Sequence, residues 1–160
     1  AHVGKGCLDA LTHAVEAYIG RSTTRETRAM AEEAVAMIHQ HLKNAYDDGS
    51  NAEARNAMLR AAYCAGVAFT KSYVGYVHAV AHSLGGQYGT PHGLANAVLL
   101  PIVLRMYGSS CQHKLAMLAR RSGTVSWGLD DAETAKRFIE WIEQMNASMG
   151  IPTRLSGIKD

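Results

Sequence analysis

The chain has 160 residues and a mass of 17.2 kDa, with 48% hydrophobic residues, 19% charged residues and a formal net charge of +2. A chain of this length can bury a hydrophobic core without the help of disulfides or structural metals, and its composition excludes an intrinsically disordered protein. The balance of 16 basic and 14 acidic residues argues against a nucleic-acid partner. No apolar run approaches the roughly 20 residues of a membrane-spanning helix, so we expect no membrane partner.

The cysteine pattern indicates the cellular compartment of the chain, and the first residue indicates whether the chain is a fragment. Cys7, Cys64 and Cys111 are odd in number and far apart, which argues against a disulfide framework and against a thiolate zinc site. The pattern favours a reducing compartment, so we expect a cytoplasmic protein. The chain opens with Ala1 rather than Met and carries no signal segment, so we expect a processed or truncated piece of a longer protein.

Capping signals predict the helices of the N-terminal half. The first helix covers residues 9–20, and Gly20 closes it in the left-handed conformation. A second helix should run to about residue 46, and a third follows with a stripe of small residues that a neighbouring helix can approach closely. Two capping boxes open the second and third helices: Thr23 with Glu26, and Ser50 with Glu53.

Glycine and proline predict the boundaries of the C-terminal half. Gly85 and Gly86 should end a fourth helix, and residues 87–93 read as a turn-rich loop. An apolar helix follows over 94–106, where Pro101 should produce a kink or an end.

Two more helices complete the predicted fold. One lies near 112–122, and the last runs from Asp130 to a stop at Gly150. There is no alternating strand pattern, no glycine-rich dinucleotide turn and no phosphate-binding loop. The predicted fold is therefore an all-α helical bundle in which residues 1–160 form a single domain.

Histidines on two of these segments point to a metal site. Asp9 and His13 share one helix face at i, i+4 spacing, His78 and His82 repeat that spacing, and His92 follows on the predicted loop. Several imidazoles buried together carry a desolvation cost unless something satisfies them. One Asp–His pair with two histidines from the second segment would offer one oxygen and three nitrogens to zinc or ferrous iron.

Two other interpretations stay open on the residues alone. A single histidine on a half-buried helix is more often a hydrogen-bonded core residue, so a non-enzymatic helical module is one alternative. A metal-dependent hydrolase is the other, although the adjacent His-Asp dipeptide common in its helical members is missing. Glu16 lies near enough to His13 to accept a hydrogen bond from a ligand histidine, but an exposed or capping role is the favoured interpretation.

Three segments resemble the iron-containing (group III) alcohol dehydrogenases: DALTHAVEAY at 9–18, HAVAHSLGG at 78–86 and TPHGLANAVLLP at 90–101. The resemblance implies that Asp9, His13, His78 and His92 are the metal ligands. It implies that His82 lies beside the reacting centre, in the cofactor and substrate pocket, as a candidate catalytic residue for proton relay. It also implies ferrous iron (Fe2+) as the metal, with zinc (Zn2+) in some members.

The same resemblance implies a larger enzyme. Members have an N-terminal α/β domain that binds NAD or NADP, and this chain lacks it. We therefore expect the C-terminal metal-binding domain of a homodimeric or larger oxidoreductase that acts on a small alcohol or aldehyde, with little activity in isolation. The zinc-dependent glycerol dehydrogenase type is the alternative within the family. The sequence does not identify the alcohol and does not decide between NAD and NADP.

Overall fold

The computed structural model describes residues 2–73 and 75–158, with side chains from residue 6 onward. Within these ranges it contains no strand, which confirms the predicted all-α fold. Short 3-10 turns cover Gly108–Ser110 and Leu155–Gly157. The described α-helices are α1 (His2–Ile19), α2 (Arg25–Asp47), α3 (Ala52–Ser72), α4 (Tyr76–Tyr88), α5 (His92–Tyr107), α6 (Gln112–Arg121) and α7 (Asp131–Ser148).

Helix α1 lies at the centre of the bundle and packs against α2, α3, α4, α5 and α6. Its apolar side chains Leu8, Leu11 and Val15 are at most 2% exposed and follow the i, i+3, i+7 spacing of one helix face. Alanines at buried positions of α2 and α3 let these two helices pack closely against α1 and each other. A central α1 carries its polar residues to the point where α4 and α5 meet it.

The helix caps differ by one residue from those predicted. Thr24, not Thr23, precedes α2, and it forms a reciprocal capping box with Thr27 instead of Glu26. Asn51, not Ser50, precedes α3, and its side chain accepts a hydrogen bond from the Ala54 amide. In both cases the predicted cap and the observed cap are adjacent residues of types that cap helices about equally well, so the local sequence does not decide between them.

Two glycine-based predictions were wrong. Helix α1 ends before Gly20 as expected, but this glycine has no positive φ. Helix α4 runs straight through Gly85 and Gly86 and ends at Tyr88, and the following Gly89, with φ of 65°, takes the left-handed cap. Glycine lowers helix propensity by about 1 kcal/mol, and packing of α4 against α5 and α1 overrides that cost.

The predicted loop over 87–93 is shorter than expected. Pro91 caps α5 with its carbonyl, which accepts hydrogen bonds from the Leu94 and Ala95 amides, so His92 is the first helical residue. Pro101 lies inside α5 and does not end it. Across the described ranges no single helix is long and apolar enough to cross a membrane, although residues 92–110 and 112–121, a pair bent by 119°, meet that criterion jointly.

Candidate metal centre

Three helices bring Asp9, His78 and His92 together. Each side chain offers one ligand atom, and these atoms all lie within 4.8 Å of one another. Asp9 Oδ1 is 3.3 Å from His92 Nε2 and 3.6 Å from His78 Nε2. Asp9 comes from α1, His78 from α4 and His92 from the first turn of α5. One carboxylate oxygen therefore faces two imidazole nitrogens across a gap of the size a divalent cation bridges.

His13 lies beside this cluster, one helical turn after Asp9. Its Nδ1 is 3.7 Å from Asp9 Oδ2. Its ring stacks between two others, with centroid distances of 4.2 Å to His78 and 4.3 Å to Phe69 and an interplanar angle of 15° in each case. The stack holds the imidazole against the group formed by Asp9, His78 and His92, and a ligand role for His13 stays a prediction.

One ring nitrogen of His78 is hydrogen-bonded, and the other has no hydrogen-bond partner. The residue is 1% exposed, and its Nδ1 lies 2.5 Å from Glu16 Oε2. Its Nε2 is buried and has no hydrogen-bond partner. A buried imidazole nitrogen without a partner costs free energy, and a bound cation would remove that cost. The donor set of imidazoles and one carboxylate also suits iron or zinc, so these residues fit the metal that the sequence predicts.

Glu16 has both of the roles that the sequence analysis considered for it. It is 4% exposed, so of the favoured exposed or capping role only the capping part agrees with the structure. Its carboxylate accepts hydrogen bonds from the Val77 amide at 2.7 Å and from the Gly75 amide at 3.0 Å, in addition to His78 Nδ1. It therefore caps the start of α4 and also supports a candidate ligand, which combines the two interpretations that the sequence left open.

Asn96 is a site residue that the sequence analysis missed. It is fully buried on α5, one turn after His92, and its Nδ2 lies 2.5 Å from Asp9 Oδ1 and 3.1 Å from His92 Nε2. The amide therefore connects the carboxylate of α1 to the imidazole of α5. The i, i+4 spacing of His92 and Asn96 was the available signal, since it places both on one face of α5.

The charges in this cluster shift three pKa values. Burial opposes protonation of His78, but the carboxylates of Asp9 and Glu16 outweigh it and raise its pKa to about 9. Burial and the neighbouring His78 lower the pKa of His13 to about 4, so its ring is neutral at pH 7. Burial also raises the pKa of Asp9, but interactions with His78 and His13 more than offset this and lower it. An ionised Asp9 and a neutral His13 are the forms that bind a metal, whereas His78 must release a proton when a metal binds.

His82 lies at the outer edge of the cluster. It is one turn after His78 on α4, is exposed, and its ring centroid is 4.8 Å from that of His92. It is not one of the three groups that converge within 4.8 Å. Its position places an ionisable side chain beside a candidate ligand and in contact with solvent.

Comparisons with known proteins identify relatives of this arrangement. The model of the Fe-containing alcohol dehydrogenase family, C-terminal, matches residues 4–159. A 1,3-propanediol dehydrogenase from Citrobacter freundii is 44% identical over 155 residues, which are 96% of this chain and 40% of the relative.

Two solved structures share the fold. The crystal structure of a 1,3-propanediol oxidoreductase gives a TM-score of 0.90 at 43% identity. The match covers 95% of this chain and 40% of the oxidoreductase chain. An alcohol dehydrogenase from Oenococcus oeni gives a TM-score of 0.93 at 34% identity. The match covers 99% of this chain and 41% of that dehydrogenase chain. The chain thus spans about 40% of the length of the relatives it matches.

Proposed function

This chain belongs to the Fe-containing alcohol dehydrogenase family, and on that premise we propose that residues 1–160 are the metal-binding catalytic domain of an NAD- or NADP-dependent alcohol dehydrogenase. The complete enzyme would transfer hydride between a small alcohol and the nicotinamide cofactor, and would reduce an aldehyde in the reverse direction. Family membership favours this oxidoreductase over a metal-dependent hydrolase and over a helical module without activity.

One observation carries the metal site: the buried His78 Nε2 has no hydrogen-bond partner and lies 3.6 Å from the carboxylate of Asp9. Asp9, His13, His78 and His92 would hold one ion, Fe2+ in the first instance and Zn2+ as the alternative. When bound, the metal supplies a Lewis acid that polarises the alcohol oxygen and lowers the pKa of its proton.

His82 is the candidate catalytic residue at this site. An exposed imidazole whose ring centroid is 4.8 Å from that of His92 is placed to take a proton from the pocket and pass it to water. The same position on the open side of the cluster supports contact with the cofactor. A histidine in this role touches the reacting groups without being a metal ligand.

Hydride transfer needs a second domain. The chain covers about 40% of its relatives, and no glycine-rich dinucleotide turn occurs in its sequence. We therefore propose that a separate domain holds NAD or NADP against the metal site, and that residues 1–160 alone have little activity, because donor and acceptor are not held at reacting distance. We further propose a homodimer or a larger oligomer. The buried, unpaired Cys7, Cys64 and Cys111 support a reducing compartment such as the cytoplasm.

Metal titration of the purified chain tests the proposal. After removal of metal with a chelator, Zn2+, or Fe2+ without oxygen, is expected to bind with one ion per chain. A free metal concentration of 100 times Kd should stabilise the fold by about 2.7 kcal/mol. His92→Ala should lose the binding, and His113→Ala is the matched control because His113 pairs with Asp131 on the surface. No binding by the wild-type chain, or equal binding by His92→Ala, would contradict the proposal.

A further inference from the structure

We propose that Glu16 is the positioning residue of the metal centre. Its carboxylate binds Nδ1 of His78 and so orients the ring with Nε2 towards the metal position, and it also caps the start of the helix that carries His78. The inference rests on the proposed metal function, and it concerns a side chain that does not touch the metal position. It assigns a function to the most enclosed acidic residue of the described chain.

The contacts of Glu16 leave none of its oxygens free. Oε2 accepts from His78 Nδ1 at 2.5 Å and from the Gly75 amide at 3.0 Å, and Oε1 accepts from the Val77 amide at 2.7 Å. All three donors belong to the first turn of α4 or to the residue before it. Glu16 itself is anchored in α1, two turns after Asp9 on the same side of that helix. One carboxylate therefore ties α4 to the helix that carries Asp9.

The contact with His78 selects the nitrogen that faces the metal position. An ionised carboxylate only accepts hydrogen bonds, so Nδ1 of His78 must carry the proton. In the neutral ring, Nε2 then carries the lone pair, and this is the nitrogen that lies 3.6 Å from Asp9 Oδ1 without another partner. Histidine ligands in metal sites are commonly oriented by such a partner on the other nitrogen.

Gly75 lets the carboxylate come this close. A Cβ atom at position 75 would lie 3.0 Å from Glu16 Oε1 and 3.3 Å from its Cδ. Gly75 is also the cap of α4 and has no side chain to satisfy the first amides of the helix, so Glu16 does this from α1. A side chain at position 75 would press on the carboxylate and move it by a few tenths of an ångström relative to its amide donors and His78.

A glutamine cannot replace this carboxylate. Its one oxygen can take two of the three donors at most, and its NH2 group would then face another N–H. The ring of His78 would turn away or change its protonated nitrogen, and the lone pair of Nε2 would leave the metal position. Glu16→Gln should therefore weaken metal binding even though it changes no ligand.

The test measures Zn2+ affinity of the full chain by competition with a coloured chelator. We expect Kd to rise about 10- to 100-fold in Glu16→Gln, and to rise also in Gly75→Ala. Glu32→Gln is the matched control: Glu32 is a partly buried carboxylate that accepts a hydrogen bond from Tyr18 at 2.9 Å, away from the site. Its Kd should equal that of the wild type.

Proton NMR of the zinc-loaded chain gives a readout that a general loss of stability would not move. The wild type should show a slowly exchanging Hδ1 signal from His78, and Glu16→Gln should lose it. If Glu16→Gln does not fold, the Kd of Gly75→Ala decides the question.

Three results would overturn the inference. Wild-type Zn2+ affinity in Glu16→Gln, or in a folded Gly75→Ala when Glu16→Gln is unfolded, would overturn it and leave the metal site standing. An equal loss of affinity in Glu32→Gln would reduce the role of Glu16 to general stability. Failure of the wild-type chain to bind Zn2+ at all would instead end the proposed metal function, and the inference with it.

Discussion

Asn96 donates a hydrogen bond to Asp9 Oδ1 at 2.5 Å, and the same Nδ2 lies 3.1 Å from His92 Nε2. In this arrangement the amide occupies the lone pair that His92 would offer to a metal. A metal bound through this nitrogen would therefore require the amide to release His92. In the present arrangement Asn96 also donates to the carboxylate of Asp9, and we expect it to keep that contact.

Removal of this amide should weaken metal binding. Asn96→Leu keeps a similar volume but leaves Asp9 without its donor, and we expect the Kd for Zn2+ to rise about tenfold. The matched control is Asn146→Leu, because Asn146 is also buried and donates one hydrogen bond, to the backbone oxygen of Ala97 at 2.7 Å, and touches none of Asp9, His78 and His92 through it. Both variants should lower Tm, and only Asn96→Leu should change Kd. Equal Kd values in the two variants would contradict a role for Asn96 in the site.

The ligand role of His13 can be separated from its stacking role. His13→Phe keeps a ring between Phe69 and His78 but has no nitrogen, so Kd for Zn2+ should rise by at least about tenfold. Tm of the metal-free protein should stay within about 3 °C of the wild type, since the stack is preserved. Unchanged zinc affinity would mean that Asp9, His78 and His92 hold the ion without His13.

The start of α2 offers a test of the observed capping box. Thr24→Ala removes the hydroxyl that accepts from the Thr27 amide at 3.2 Å and should cost about 1 kcal/mol of unfolding free energy. Thr23→Ala is the control, because Thr23 makes only a 3.3 Å contact with the Thr27 hydroxyl. Chemical denaturation of both variants measures the difference. A larger loss for Thr23→Ala would favour the box predicted from the sequence.

Asp131 should make stability depend on acidity. Its carboxylate accepts a hydrogen bond from His113 and another from the largely buried Arg120, and these interactions lower its pKa. A lowered pKa in the folded state gives stability that is present above the unfolded pKa of roughly 3.9 and is lost as the pH falls through the folded value.

Asp131→Asn should therefore have a lower Tm than the wild type near pH 7. The gap should begin to narrow near the unfolded pKa of roughly 3.9 and should close once the pH has fallen through the lowered pKa of the folded state. Thermal unfolding from pH 7 down through this acidic range checks the prediction. Asp47→Asn is the control, since Asp47 forms an exposed i, i+4 pair with Lys43 and such pairs contribute little. A Tm gap for Asp131→Asn that is constant with pH would show that the effect is not the loss of the charge.

The helical fold was predicted from the sequence, and the same patterns suggested the candidate ligands, which stay a prediction. Asp9 and His13 share a helix face through i, i+4 spacing, and the segments that carry His78 and His92 resemble a known family. The contact of Asn96 with Asp9 and the backbone partners of Glu16 escaped prediction, because they lie 59 to 87 positions away in the chain. Such contacts exist only after α1, α4 and α5 have packed together.

Helix boundaries were less predictable than helices. Thr23 and Thr24 are chemically alike, and only the tertiary position of α2 decides which of them caps it. Gly85 and Gly86 continue α4 because the helix is held at both ends, by Glu16 at its start and by Gly89 at its end. Local propensity contributes about 1 kcal/mol at such positions, and packing can outweigh it.

Crystals of the zinc-loaded chain test the central claim most directly, through the anomalous scattering of zinc. The account predicts one strong peak per chain, bounded by Asp9, His13, His78 and His92 at about 2.0–2.2 Å from the ligand atoms. A peak bound elsewhere, or no peak in protein shown to contain zinc in solution, would contradict it.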